Sequence, residues 1–162
     1  MKKILSLLLI FMSSTFIIWC TKTQINKIEY SYNNSYGPFD VIAPKRITIN
    51  SDGTIILNND YNSYTKTFNI GKKKYYELAK FIENHMSLFD EKIKEDYDIL
   101  DGNYYYISIV LNNGTKKTNG WYMIKSFKFN EIKKKIFELV TYEEFNEYID
   151  AIYEQARENL NY

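Results

Sequence analysis

Two apolar runs of period two, broken by a short turn, occupy residues 45–59. In KRITINSDGTIILNN, Ile47 and Ile49 share one face of the first run, Ile55 and Leu57 share one face of the second, and Ser51, Asp52 and Gly53 stand between them. Successive side chains of a strand point to opposite faces, so this alternation is that of a half-buried strand. An Asp-Gly pair between two such runs joins them as antiparallel neighbours. A hairpin with one aliphatic face has to bury that face, so the rest of the chain must supply a covering layer.

The covering layer is legible after Gly71, where the period changes from two to 3.6. In GKKKYYELAKFIENHMSLF, residues Tyr75, Leu78, Ala79, Ile82, Met86 and Phe89 fall on one side of a single helix. Residues 101–124, DGNYYYISIVLNNGTKKTNGWYMI, read as a second hairpin turning at Asn113-Gly114. Its first strand has Tyr105, Ile107, Ile109 and Leu111 on one face and Tyr104, Tyr106, Ser108 and Val110 on the other. Both faces are largely apolar, which places this strand inside the sheet with some cover on each side. Ile28, Tyr30 and Tyr32 alternate as a further strand, residues 65–70 form a short one, and NNSYGPFDVIAP is a loop or irregular edge.

Two helices finish the chain. The first presents Phe129, Ile132, Ile136 and Leu139, and the second presents Phe145, Ile149, Ile152, Ala156 and Leu160. Thr141 and Glu144 between them have the spacing of a capping box, in which the hydroxyl and the carboxylate each satisfy an orphan amide. The expected class is α+β: an antiparallel sheet of roughly four to six strands built from hairpins, helices packed on one face, and two helices at the C-terminus.

With 162 residues the chain has room for one domain and an addressing segment. Its formal charge is +1, and becomes −1 without Lys2 and Lys3. Nucleic-acid affinity rests on a basic surface that releases counterions, so a general polyanion binder is not expected. The 16 tyrosines and 10 phenylalanines offer ligand-contact material, although abundant Lys, Asn and Ile beside them point first to AT-rich codon usage.

The first 20 residues carry the clearest functional signal. Lys2 and Lys3 precede an apolar run from Ile4 to Met12, then Ser13, Ser14 and Thr15, the pattern of an export signal. Ile17, Ile18 and Cys20 match three of the four positions of a lipobox, and on these residues the leader resembles that of a bacterial lipoprotein precursor. Trp19 stands where that family has a small residue. The resemblance implies cleavage before Cys20, acylation of its thiol and an extracytoplasmic membrane location; an uncleaved anchor and ordinary secretion are the alternatives. Cys20 is the only cysteine, and an unpaired thiol inside an exported domain is a liability in an oxidising compartment. The expected organisation is a signal peptide over 1–19, a tether over 20–27 and a single α+β domain over 28–162.

Catalytic material is sparse. One histidine and one cysteine exclude zinc sites built from three or four nitrogen and sulfur ligands. His85 borders the apolar face of the first helix and reads as a structural boundary residue. Carboxylates gather at Asp90, Glu91, Glu95, Asp96, Asp98 and Asp101. DYDILDG imitates a calcium loop but has Leu100 where the third oxygen ligand belongs, and Gly102 falls one residue late. Glycines sit singly at turns and form no phosphate cradle. Lys72, Lys73 and Lys74, and Lys133, Lys134 and Lys135, are helical runs that face water or an anionic surface. Exposed loop aromatics are the candidate contact residues: Trp121 and Tyr122 after the Asn119-Gly120 turn, and Tyr61 and Tyr64 in NNDYNSYTK.

Over residues 45–140 the succession of hairpin, helix opening at GKKKYYELAKFI, acidic link, DGNYYYISIVLNNG hairpin and helix resembles the layout of emfourin-type proteinaceous inhibitors of thermolysin-like proteases. NNSYGPFD stands near the glycine-rich strand of that family. The resemblance implies a small exported domain that works by contact. The expected protein is therefore a lipid-anchored envelope binding protein with no catalytic residues, metal or cofactor. Its expected partners are the membrane and an envelope protein or polymer. A hydrolase using the carboxylates of residues 90–101 is the rival.

Overall fold

A computed structural model of the chain describes residues 23–34, 44–59, 64–91, 103–122 and 126–160. Six strands, β1 (Ile25–Asn34), β2 (Arg46–Asn50), β3 (Thr54–Asn58), β4 (Thr65–Asn69), β5 (Asn103–Leu111) and β6 (Lys116–Tyr122), form one antiparallel sheet in the order β4-β3-β2-β1-β5-β6. Helix α1 (Lys72–Glu83) follows β4, a 3-10 helix (Met86–Asp90) follows α1, and α2 (Phe127–Glu138) and α3 (Tyr142–Leu160) close the chain. The fold is the α+β arrangement expected from the sequence.

Register explains the core. Ile28 of β1 is paired with Ile49 of β2 on one side and Ile109 of β5 on the other, and Tyr30 lies in the same way between Ile47 and Ile107. Ile55 and Leu57 extend the two rows into β3. All are buried, together with Tyr75, Leu78, Ala79 and Ile82 of α1, Phe129, Ile132 and Ile136 of α2, and Tyr148 and Ile152 of α3. Each buried isoleucine, leucine or phenylalanine among them contributes about 1.5–3 kcal/mol relative to exposure. The alternate positions, among them Glu29, Thr48, Ser108 and Thr118, occupy the opposite face, where Ser108 and Thr118 hydroxyls bond at 2.8 Å.

Four details depart from the sequence reading, each for a tertiary reason. Strand β1 begins at Ile25, within the stretch expected to be tether through Lys27. Ile25 is buried, its carbonyl accepts from the Tyr75 hydroxyl at 2.8 Å, and the Gln24 carbonyl accepts from the Asn112 amide at 2.7 Å. Glu83 fastens the same segment. Its Oε1 accepts from the Thr23 hydroxyl at 2.6 Å and the Gln24 amide at 2.5 Å, and its Oε2 from Lys80 at 2.7 Å.

Helix α1 stops at Glu83 instead of running on to Phe89. The His85 ring bonds the Phe81 carbonyl at 2.8 Å, the group its own amide would use in a continuing helix, and that amide turns to Ile82. The chain tightens into the 3-10 turn, which buries Leu88 and Phe89 and is tied to β6 by the Asn119 amide on the Leu88 carbonyl at 2.5 Å. Asn119-Gly120 is thus no turn but the interior of β6. Gly120 is there because the Tyr106 ring of β5 lies across it, 2.4 Å from where a Cβ would sit. At α3, the Thr141 hydroxyl accepts from the Glu144 amide at 3.2 Å, while the Glu144 carboxylate pairs with Lys66 of β4 at 2.9 Å.

Gly53 joins two layers. It has φ +87°, and a Cβ there would lie 2.6 Å from the Gly71 carbonyl carbon, at the start of α1. Gly114 has φ +83° with nothing within 4 Å. Gly114→Ala should therefore cost about 1–2 kcal/mol from backbone conformation alone, and Gly53→Ala about 3 kcal/mol or more because backbone must also move. Urea unfolding of the two variants measures the difference.

Burial raises the Glu83 pKa, but the bonds from Lys80, Thr23 and Gln24 outweigh it and hold the carboxyl below its usual value. A depressed carboxylate contributes stability that is present above the unfolded-state pKa of about 4.3 and is lost as pH falls through the lower folded-state value. Glu83→Gln should be less stable than the parent at pH 7. Its stability should fall less steeply than the parent's below about pH 4.3, as followed by urea midpoints.

Candidate functional site at the aromatic end of the sheet

Strand period and register gather three tyrosines. Tyr30 and Tyr32 lie two residues apart and so share the helix-side face of β1, and Tyr105 of β5 is the register partner of Tyr32. The Tyr105 ring centroid is 6.4 Å from Tyr30 and 6.1 Å from Tyr32, with planes 25° and 28° apart. Helix α2 lays two residues one turn apart on this row. Phe137 meets Tyr30 edge-on at 5.2 Å. The Lys133 ammonium lies 4.2 Å from the Tyr105 ring centre, 5.9 Å from that of Phe137 and 6.0 Å from that of Tyr30.

Attraction to a ring face is worth about 0.5–2 kcal/mol to an ammonium. Partial burial, which strips hydration from the ammonium, lowers the Lys133 pKa below the usual lysine value. No carboxylate among the described residues pairs with it. Burial first, then the neighbouring Tyr105 and Tyr32, push the Tyr30 phenol far above its ordinary value, so it stays neutral. The arrangement is a half-buried cation walled by aromatic rings: chemistry suited to holding an anionic group against flat apolar surface.

The four aromatic candidates do not form one patch. Trp121 and Tyr122 end β6, with Tyr105 and Tyr104 as their register partners, so Trp121 continues the backbone row of Tyr32 and Tyr105. Tyr64 precedes β4, at the other edge of the sheet, and its half-buried ring packs 5.5 Å from that of Tyr148. Five interstrand spacings of about 4.8 Å place it roughly 24 Å from Trp121. Tyr61 lies outside the described residues.

Two further candidates have structural partners. His85 bonds Phe81 and packs on its ring at 4.5 Å, as a boundary histidine does. Asp90 is paired with Lys117 at 2.8 Å, and residues 92–101 of the acidic stretch lie outside the described residues. The Lys133, Lys134 and Lys135 run diverges: Lys134 faces Glu138 at 3.9 Å and Lys135 lies over Phe81 at 4.9 Å. Between α1 and α2 a groove of about 220 Å³ has Leu78, Phe81 and Leu139 as its floor, and Lys74, Glu77, Lys135 and Glu138 around it. Among the described residues no three His, Cys, Asp or Glu side chains gather as a metal site would require.

The sequence placed Lys133 only in a lysine run facing water or an anionic surface, and its seat among rings went unread because a lysine beside an apolar stripe is ordinarily solvated. Its spacing of four from Phe137, above a tyrosine-rich strand, was the available signal. No protein-family model and no curated protein matches the chain.

Because burial of the Lys133 charge opposes folding, Lys133→Met should leave stability unchanged or raise it by up to about 1 kcal/mol. Lys133→Ala, which also strips the aliphatic stem from the rings, should lower it by about 1 kcal/mol. Paired urea denaturation curves check both.

Proposed function

We propose that this chain is an exported bacterial envelope protein, fastened to the membrane by acyl chains on Cys20, whose domain works by contact with an envelope protein or polymer. The observation that carries the reading is the position of the only cysteine. Cys20 ends an apolar, lysine-headed run and stands five residues ahead of Ile25, the first buried residue of the described core. A single thiol can form no disulfide within its own chain. Placed on a lipobox-like sequence it has a use, since two acyl chains hold a protein to a bilayer where one binds only marginally.

Contact is favoured over catalysis by what the polar groups already do. His85 is committed to Phe81, Asp90 to Lys117, Glu83 to the first residues of β1, and Glu144 and Glu147 both to Lys66. Lys133, held among rings at a cost to the fold and unpaired with any carboxylate among the described residues, keeps capacity for an outside anion. No helix among the described residues is long and apolar enough to cross a membrane.

Cells expressing the full chain and given radioactive fatty acid should incorporate label. Cys20→Ala should abolish incorporation and move the protein out of the detergent-extracted membrane fraction. Label that survives the substitution would overturn the anchor.

A further inference from the structure

We infer that the end of the sheet at which β1 begins is a docking surface for anionic phospholipid headgroups, so that the domain stands upright on the bilayer. The inference rests on the anchor at Cys20.

Its first support is reach. Thr23 and Gln24 are fixed to Glu83, and Thr23 is three residues from Cys20 in sequence. Three residues span at most about 10 Å, close to the screening length of about 8 Å at physiological ionic strength. An anchored domain therefore keeps this end within electrostatic range of the headgroups.

Its second support is what stands there. The start of β1 shares this end with the exposed turns at Ser51 and Asp52 and at Asn112, Asn113 and Gly114, and with the start of α1. Exposed Lys72 and Lys73 stand on the first turn of α1, and exposed Lys116 begins β6. Lys73 and Lys116 have no ion-pair partner among the described residues, and Lys72 faces only Asp52. The fold gains nothing from lysines in the first turn of α1. Positive charge at a helix N-terminus opposes the helix dipole, and that turn contains no acid. Their charge is directed outward.

Of the large exposed hydrophobics Phe127, Phe137, Tyr142 and Tyr153, none lies on β1, on the two turns or on α1, so the contact of these elements is electrostatic. Upright docking also has a consequence for the proposed contact site. Tyr32, Tyr105 and Lys133 lie toward the opposite end of β1, whose ten residues span about 33 Å, and so face away from the bilayer.

The test uses the full acylated chain reconstituted into vesicles of phosphatidylcholine alone or mixed with phosphatidylglycerol. A fluorophore is placed at Asn113→Cys or at Phe127→Cys, with a headgroup nitroxide lipid as quencher. In mixed vesicles, quenching at Asn113 should exceed that at Phe127 roughly threefold. The excess should vanish in about 1 M salt, where screening shortens to about 3 Å, and in the Lys72→Gln, Lys73→Gln, Lys116→Gln variant. Equal quenching at both positions, in a chain that stays bound to phosphatidylcholine vesicles, overturns docking and leaves the anchor intact. A chain that leaves phosphatidylcholine vesicles removes the anchor, and docking falls with it.

Discussion

One face of this sheet has to be dry, and the obligation falls first on β1. Ile28 and Tyr30 are each flanked by aliphatic partners on both sides, so neither can reach water without opening two strand pairs. That requirement fixes the covering layer, because α1, α2 and α3 each present an apolar stripe to it. It also explains the aromatic end. The aliphatic rows give way to Tyr32 and Tyr105, rings too large for the helices to cover fully, and α2 closes over them with the stem of Lys133 and the edge of Phe137.

Lysines serve two opposed purposes in this molecule. Lys66 emerges beside buried Leu57 on the edge strand β4 and binds both Glu144 and Glu147 of α3. Its charge is answered within the fold, and the two carboxylates hold α3 against an edge that would otherwise invite another strand. The bonds from both acids outweigh partial desolvation, and the Lys66 pKa lies above the usual lysine value. The shift of Lys133 has the opposite sign because burial strips its hydration and no carboxylate among the described residues answers it. The contrast separates a lysine that holds the structure from one whose charge is available to something else.

Local pattern carried most of the fold. The β2–β3 hairpin, the turn at Asn113-Gly114, the start of α1 and the break at Thr141 all follow from period, glycine placement and capping chemistry within a few residues. What the sequence left unread depends on distant neighbours. The end of α1 is decided by a ring taking one carbonyl, the strand character of Asn119 and Gly120 by a tyrosine from β5, and the burial of Ile25 by a hydroxyl fifty residues away. Strand order was equally hidden, since nothing near Ile28 announces that it will pair with Ile109. The candidate site suffered most. Trp121 and Tyr64 resemble each other locally as aromatics among polar residues, yet the topology sends them to opposite edges, while Tyr30, Tyr32, Tyr105 and Lys133 converge from three elements.

The interior position of β1 sets an order of events during synthesis. Its register partner Ile109 is 81 residues downstream of Ile28, and β2, although nearer, satisfies only one side. Chains emerge from the ribosome N-terminus first, at about 5–20 residues per second. For several seconds, then, the earliest strand has an unsatisfied backbone edge and a bare isoleucine row. Nothing made before β5 can cap it, so residues 103–111 are the closing piece on which native assembly waits, and a chain halted short of them has the adhesive edge from which misassembly starts.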